Sequence, residues 1–595
     1  MAAQLSSEQV YDVVGLGYGP ANLGIGIALL EKFNLESPEK LTGLVENPSL
    51  PTKRVCFIES YDEFKWHPGM LLPDARMQVN FLKDLVTLRN PMSPFTFVNY
   101  LHSSDRLVQW INRGSVIPNR KEFSDYLSWA AEECIRRGVQ VKFGEVVIGV
   151  DKIQANVDGT AEHLVEVISK VRATGETRTR YGRDFLMSPG GAPDMLPVMS
   201  MVKDHDNIFH SASYIHSISQ AISNCCSVVI DGVPMPNRPL RIAVVGSGQS
   251  AVEVAIHVTN KLNALALPTP AWVEGSNGVA PHQHQVDMLI RKGSLHSFDG
   301  SKFANEVFDP ENTDLFFARS ANSRRKNIGE YLPTNYGVAN PGTLEALFEL
   351  MYSQKTEEGT ARRHRSFRNS CGVKTNIRGF SDIINADFVH GASAGDMVTS
   401  RKQRTFAITI RHMLDEIITA YEYDIVILAT GYKRNQWSTM LRKSEELSKY
   451  YGIESDKVDL LPYLPSSKGS NNYMQHAEKA LERIVISAPS GNESDSASDS
   501  SVLSTPHTSP GASMLDLSQL PHIPKSNIVG LSRGYRLVPK GEFEGSFEAV
   551  HQSPREPRIY LQSMEENTHG IGDTLLSVVS VRATEVLGDM YPGEY

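Results

Sequence analysis

The chain has 595 residues, 41% of them hydrophobic, and a formal net charge of −9 at pH 7. That is enough for about two or three packed domains, and the acidic balance argues against a nucleic acid or a membrane surface as partner. No apolar run reaches the ~18 residues of a membrane span, and Met1–Ser7 has neither the basic nor the apolar region of a secretory signal, so a cytoplasmic protein is expected.

Residues 10–30 predict a strand, a glycine turn and a helix, and Val55–Glu59 predicts a second short apolar strand. The polar, proline-containing stretch Glu36–Arg54 between them reads as a surface excursion. Phe123–Arg137 has the period of an amphipathic helix. Val139–Val150 is strand-rich, and Phe185–Gly191 reads as a strand running into a turn. A second strand, turn and helix begins at Arg241, with its helix over about Ser250–Leu262. An insertion of about Leu265–Gln285 follows; its His282 and His284 read as solvated loop residues because no third metal ligand is near in sequence. Met288–Lys292 is the next strand candidate. Phe406–Arg411 alternates like an antiparallel strand, and Tyr423–Tyr432 is an apolar strand ending in a turn. The stretch from about Ser466 to Pro524 differs in kind. Nine serines lie between Ser490 and Ser513, and such composition cannot bury enough apolar surface to offset ordering, so a mobile insertion is expected. The five cysteines, Cys56, Cys134, Cys225, Cys226 and Cys371, form no C-x-x-C pair. Reduced buried thiols are expected, with no metal site and no dithiol chemistry.

The two glycine turns carry the first chemical signal. Gly15, Gly17 and Pro20 occupy the three positions of a dinucleotide fingerprint, with Gly19 just before the proline. Proline suits the first helical position, where its missing N–H is not needed. Glu59 ends the next strand, where a carboxylate accepts hydrogen bonds from an adenosine ribose. The second fingerprint has Gly246, Gly248 and Ala251. The strand after it ends in Arg291 and Lys292 rather than an acid, which suits the 2′-phosphate of NADPH; a solvated basic turn is the alternative. Two fingerprints so far apart suggest two dinucleotides face to face, the layout of flavoproteins that pass a hydride from nicotinamide to FAD. Between the fingerprints, Trp66–Met70 and Met77–Arg89 mix aromatic, amide and cationic side chains. Lys83 stands among Phe81, Leu82, Leu85 and Val86 and needs an anionic partner. On the residues alone a structural carboxylate is favoured over a substrate anion.

With these motifs the chain resembles the microbial L-ornithine N-monooxygenases of hydroxamate siderophore synthesis, FAD- and NADPH-dependent N-hydroxylases. The resemblance is carried by Gly17–Leu23, Trp66–Met70, Met77–Arg89, Gly246–Ala251, Asn305–Pro310, Thr334–Tyr336, Ala429–Tyr432 and Thr568–Ser577, in family order. It implies FAD contacts at Gly15, Gly17, Gly19 and Pro20, Glu59 through His67 with Trp66 among them, Gln78, Val147, Thr574, Leu575 and Leu576. It implies NADPH contacts at Ser247, Gly248, Gln249, Ser250 and Arg291. For L-ornithine it implies Lys83, now as partner of the substrate carboxylate, with Asn305, Glu306, Val307, Phe308, Asn335 and Ser577; Asn305 and Ser577 carry the catalytic roles. O2 is the co-substrate, and a homo-oligomer is expected, with a tetramer as one form. Two departures stand out: Asp299-Gly300-Ser301 where the family usually has Asp-Asp-Ser, and Gly572 and Thr574 where it usually has serines.

The expected fold is α/β, with two Rossmann-like units and a smaller, mainly helical substrate segment. FAD-binding parts are expected at 1–200 and 421–595, the latter containing the 466–524 insertion. NADPH-binding parts are expected at 239–292 and 370–420, and substrate segments at 201–238 and 293–369. The competing functions are lysine N-hydroxylation, a flavin monooxygenase acting on another amine, a sulfide or a ketone, and a non-catalytic nucleotide sensor. One methylene separates lysine from ornithine and is worth only about 1–3 kcal/mol in a pocket, so the sequence separates those two weakly.

Overall fold

The computed structural model describes residues 2–37, 47–226, 228–230, 233–236, 238–265, 272–275, 278–281, 283–364, 372–389, 405–464, 528–544 and 555–593. Two sheets, each built around one glycine turn, dominate it. In the first, the order is Ala3–Leu5, Glu145–Val157, Thr160–Val171, Thr177–Met187, Val10–Leu16, Val55–Ile58, Gln140–Lys142, with Arg558–Leu561 also paired to Thr177–Met187. Val10–Leu16 lies parallel to both neighbours, Val14 facing Cys56 on one side and Phe185 on the other. A parallel strand covered on both faces reads as a continuous apolar run, which is why this segment lacks alternation. Its helix, Pro20–Leu30, is buried from Asn22 to Leu29 and has no polar face to reveal a period. Arg558–Leu561 brings the far end of the chain into the same sheet as the first fingerprint.

The amphipathic helix is Arg120–Arg136, opened by Asn119, whose side chain accepts the Glu122 N–H. Its Phe123, Tyr126 and Leu127 join Phe97, Phe57 and Leu23 in one core, with Phe97 and Phe123 stacked at 5.8 Å. Truncating either phenylalanine to alanine costs about 3–5 kcal/mol in such a setting.

The second sheet is all parallel, in the order Ile208–His210, Ile425–Leu428, Arg241–Val245, Gln285–Leu289, Lys374–Arg378. This revises three expectations. Ile425–Leu428 was expected in the FAD part and Ile208–His210 in a substrate segment, yet both belong to the sheet of the second fingerprint. A run of Ile-Val-Ile-Leu demands burial on both faces, but says nothing about which of two parallel sheets supplies it. The third revision is the strand after the fingerprint, which is Gln285–Leu289, three residues earlier than Met288–Lys292. Asp287 sits wholly buried in it and accepts bonds from Asn376 (2.7 Å), Arg378 (2.9 Å) and the Tyr423 hydroxyl (2.9 Å). That satisfaction lets a carboxylate occupy the sheet interior.

Phe406–His412 is the middle strand of an antiparallel trio with Ser381–Phe388 and Ile418–Tyr423; Phe406, Ile408 and Ile410 face inward, as their alternation predicts. Residues 293–364 are largely helical: Lys302–Glu306, Asn312–Ala318, Ala321–Asn335 and Pro341–Arg363. His284 is buried rather than solvated, its Nδ1 accepting the Leu240 N–H at 3.0 Å, while His282 lies outside the described residues. The insertion holding them contains a hairpin, Trp272–Gly275 with Gly278–Pro281. Cys56 and Cys134 are buried, but Cys225 and Cys226 are only half-buried, and Cys371 is outside the described residues. The serine-rich stretch 490–513 also falls outside them. No described helix is long and apolar enough to cross a membrane, and no described cluster of three His, Cys, Asp or Glu could hold a metal.

Candidate active site

The first glycine turn is shaped by close backbone approach. A Cβ at Gly15 would lie 2.3 Å from the Phe57 ring, and one at Gly17, whose φ is +81°, would lie 2.5 Å from the Ser188 carbonyl oxygen. Nothing lies within 4 Å of the corresponding point on Gly19. Gly17 therefore serves the fold, whereas the space at Gly19 lets a ligand approach the backbone. Gly19 caps the helix with Pro20 at its first position, leaving a free helix N-terminus for a pyrophosphate. Asn22 holds the turn: its Nδ2 donates to Leu16 O (3.1 Å) and Gly17 O (2.7 Å), and its Oδ1 accepts from Ser188 and Gln562.

Glu59 stands just past its strand. Its Oε2 accepts the Tyr18 N–H at 2.8 Å, and its Oε1 accepts from the Ser60 hydroxyl and Tyr61 N–H at 3.0 Å each. These bonds orient the carboxylate at the mouth of the turn and leave lone pairs for a ribose hydroxyl. His67 takes a left-handed conformation (φ 44°, ψ 49°), with its ring near Trp66 (5.4 Å) and Tyr432 (6.1 Å), and burial lowers its pKa to about 4. A Cβ at Gly69 would lie 1.9 Å from Ala212 O, so the Trp66–Met70 block is clamped on the turn Ser211–Ser213 that follows the second sheet's strand Ile208–His210. Val147 is half-buried against an apolar layer beneath the first sheet. The helix Val579–Met590 that follows the C-terminal block packs on the first fingerprint helix, where Gly24 meets Val579. In that block Thr574 donates to Glu566 Oε1 at 2.6 Å, Leu575 caps a short turn Leu576–Val578, and Ser577 is 3% exposed. The free helix end, the open Gly19 and the oriented acid fit a dinucleotide.

The second turn repeats the pattern. Gly246 has φ +133°, and a Cβ there would lie 2.3 Å from Ala429 O, whereas Gly248 has no neighbour nearer than 3.9 Å. Ser250 lies in the first turn of the helix Gln249–Asn263. Ser247 and Lys292 both donate to Gly337 O, at 3.3 and 3.0 Å, tying a loop of the helical segment over the turn. Of the two basic residues, Lys292 is thereby occupied and partly desolvated, which lowers its pKa. Arg291 is exposed beside it, with its charge free to meet solvent.

Between the units lies a cleft of about 950 Å³. Gln78, Lys83, Gln249 and Asn305 share its wall, along with Arg76 and Phe298. Lys83 is half-buried, and among the described residues no carboxylate comes within 4.0 Å of its amine. The adjacent Asp84 turns away to accept N–H bonds from Val86, Thr87 and Phe97 at 2.7–2.9 Å. The structural ion pair favoured from sequence is therefore not formed among the described residues. Asn305 lies in the last turn of Lys302–Glu306, whose cap is Ser301, accepting the Ala304 N–H at 3.2 Å. The amide of Asn305 donates back to Gly300 O (3.3 Å) and Ser301 O (3.0 Å), leaving its Oδ1 open to the cleft. At the first departure, a side chain at Gly300 would press on the Phe298 ring at 2.9 Å.

A family model described as L-lysine 6-monooxygenase/L-ornithine 5-monooxygenase matches residues 9–434. The chain belongs to this family. A curated L-ornithine N(5)-monooxygenase of Coprinopsis cinerea is 40% identical over 599 residues, 98% of either chain, and one of Ceriporiopsis subvermispora is 37% identical over 98% of this chain and 99% of its own. Among solved structures, the ornithine hydroxylase PvdA of Pseudomonas aeruginosa superposes with a TM-score of 0.63 at 26% identity, covering 98% of this chain and 99% of that one.

Set in this L-lysine 6-monooxygenase/L-ornithine 5-monooxygenase frame, the implied residues divide into groups. Glu306, Val307 and Phe308 do not face the large cleft; they line a separate cavity of about 300 Å³ with Arg533, His569 and Gly572. Asn335 closes the helix Ala321–Asn335, and its neighbour Tyr336 donates to Glu566, just before the C-terminal block. Asn335 and Ser577 are not in the wall of the large cleft. Sequence reasoning missed Arg120, Glu253 and Asn340. Glu253 follows Gln249 by one helical turn, a spacing that could have placed it on the same wall.

Proposed function

We propose that this chain is an FAD- and NADPH-dependent monooxygenase that hydroxylates the side-chain amine of L-ornithine, giving N5-hydroxyornithine for hydroxamate siderophore synthesis. The observation that carries the reading is the cleft between the two units, walled by Gln249 at the start of the second fingerprint helix and by a half-buried Lys83 that has no carboxylate partner among the described residues. A zwitterionic amino acid satisfies that cation with its carboxylate. Glu59 and the Gly19 turn hold FAD, and Gly248, Ser250 and Arg291 hold NADPH. Bound flavin, reduced by NADPH, supplies the activation of O2.

The residues of the chain position and shield. Lys83 fixes the substrate carboxylate, and the open Oδ1 of Asn305 accepts from the substrate's ammonium group. With the head group held, the side-chain amine reaches toward the flavin edge. It reacts neutral, and exclusion of water around the bound substrate favours the uncharged form. Overall, ornithine, O2, NADPH and a proton give N5-hydroxyornithine, NADP⁺ and water. The 40% identity to a curated ornithine enzyme supports ornithine over lysine. The test is product analysis with NADPH, O2 and separate ornithine, lysine and arginine. The reading expects hydroxylamine from ornithine alone; no hydroxylated product from ornithine overturns it.

A further inference from the structure

The resemblance implied Gln249 as an NADPH contact, but its side chain has other work. Its Oε1 accepts from Asn340 N at 2.7 Å and from Gln78 Nε2 at 3.2 Å. Its Nε2 donates to Glu253 Oε1 at 2.8 Å and Thr343 Oγ1 at 3.0 Å. A carboxamide has two donors and two acceptor lone pairs, so every position is filled. Glu253 in turn accepts both guanidinium nitrogens of Arg120, at 2.8 and 3.0 Å, and Arg120 also donates to Met70 O at 2.9 Å. The pair is largely shielded, with Arg120 14% and Glu253 8% exposed.

These groups belong to different parts of the fold. Arg120 opens a helix in the first unit's core and holds the Trp66–Met70 block. Glu253 and Gln249 lie on the helix whose N-terminus forms the second glycine turn. Asn340 caps the helix Pro341–Arg363. A bidentate arginine–carboxylate pair fixes both distance and angle between the elements it joins.

We propose that Arg120, Glu253 and Gln249 form a strut across the cleft that sets the register of the nicotinamide-binding helix against the flavin-binding unit. Arg120 and Glu253 are then positioning residues for hydride transfer, a role that rests on the two-nucleotide reading above. Hydride transfer requires the reacting atoms within about 3–3.5 Å, and a misplacement of about 1 Å can cost roughly a hundredfold in rate. NADPH carried at the Gln249 helix end moves with that helix, so loosening the strut acts on the transfer step more than on nucleotide affinity.

The test uses Glu253→Gln and Gln249→Ala in the full-length protein. In anaerobic stopped-flow, the rate of flavin reduction by saturating NADPH is expected to fall about tenfold in each, with the NADPH Kd within about threefold of wild type. In ligand-free Gln249→Ala, hydrogen exchange is expected to speed up over residues 336–343, where the Asn340 N–H loses its acceptor. The double reversal Arg120→Glu/Glu253→Arg is expected to recover part of the rate lost in Arg120→Glu alone. Reduction within twofold of wild type in both folded variants, with unchanged exchange over 336–343 in Gln249→Ala, overturns the strut. A raised Kd with an unchanged reduction rate also overturns it, making the pair a binding element. A wild-type flavin that NADPH does not reduce overturns the two-nucleotide reading itself, which the product test above checks independently.

Discussion

Gly17 and Gly19 are two residues apart and carry different constraints. At Gly17 both the positive φ and the Ser188 carbonyl oppose any side chain. Gly17→Ala is expected to destabilise the chain by about 2–3 kcal/mol even without cofactor, read by thermal unfolding of the apoprotein. Gly19→Ala meets no protein atom and is expected to leave the apoprotein's unfolding unchanged while lowering its flavin content, measured by absorbance after refolding with FAD. Equal losses of stability in both variants would show that Gly19 serves the fold as well. Lys83 is the second test at this scale. Truncating one partner of a charge-assisted pair costs about 2–5 kcal/mol; for a half-buried amine the lower end applies. Lys83→Ala should raise the ornithine KM on the order of a hundredfold, while FAD content and NADPH oxidation persist. An unchanged KM would mean that the substrate carboxylate finds another partner.

The short helix Lys302–Glu306 shows how an element can separate two roles. Ser301 caps it, so Asn305 is free of that duty. Asn305→Ala should leave the melting temperature within about 2 °C of wild type, as expected where no cap or core contact is lost. It should also divert a larger share of consumed NADPH to hydrogen peroxide, because a misplaced amine reacts slowly. Hydroxylamine and peroxide formed per NADPH give the ratio; a wild-type ratio with a lowered melting temperature would return Asn305 to a structural role. The strand Gln285–Leu289 makes a related point. Ending before Ile290, it leaves Lys292 folded onto Gly337 and Arg291 exposed. Arg291→Ala should narrow the preference for NADPH over NADH about tenfold by weakening NADPH. If both coenzymes keep their KM values, the 2′-phosphate is held elsewhere.

For the whole molecule, the C-terminal block packs a neutral histidine into the core. His569 is buried, stacked on Tyr535 at 3.9 Å, with its ring nitrogens bonded to Thr568 and to Arg533 O. Burial lowers its pKa from the ordinary 6.5 to about 3. Below pH 6.5 the unfolded chain therefore binds a proton that the folded chain refuses. The stability due to a neutral His569 is complete about a unit above pH 6.5 and is lost as pH falls through 6.5 toward 3, at up to about 1.4 kcal/mol per pH unit. Glu565, whose carboxyl burial and the nearby Asp573 push well up, acts in the opposite direction. The clean measurement is therefore the difference between wild type and His569→Gln in urea unfolding. That difference should shrink by about 2 kcal/mol between pH 6.5 and 4.5. A difference independent of pH would show that His569 is protonated in the folded protein.

Local chemistry was enough to mark both glycine turns, the helix Arg120–Arg136, the alternating strand Phe406–His412 and the cation after the second fingerprint. Each depends on neighbours within a few residues: a positive φ needs glycine, a half-buried face needs its period, and a helix start needs a cap. The resemblance added Lys83 and Asn305, which share a wall. What sequence could not decide was partnership across distance. Ile425–Leu428 is as apolar as any buried strand, and only the packing of two sheets assigned it to the second. Lys83 stands beside Asp84 in the chain, and only the fold turned that carboxylate toward the backbone of Val86, Thr87 and Phe97. Glu253 reads as an ordinary helical acid until Arg120, 133 residues away, meets it across the cleft. Long-range pairing is set by how many buried polar groups the packed chain must satisfy at once, a condition that no local stretch of sequence contains.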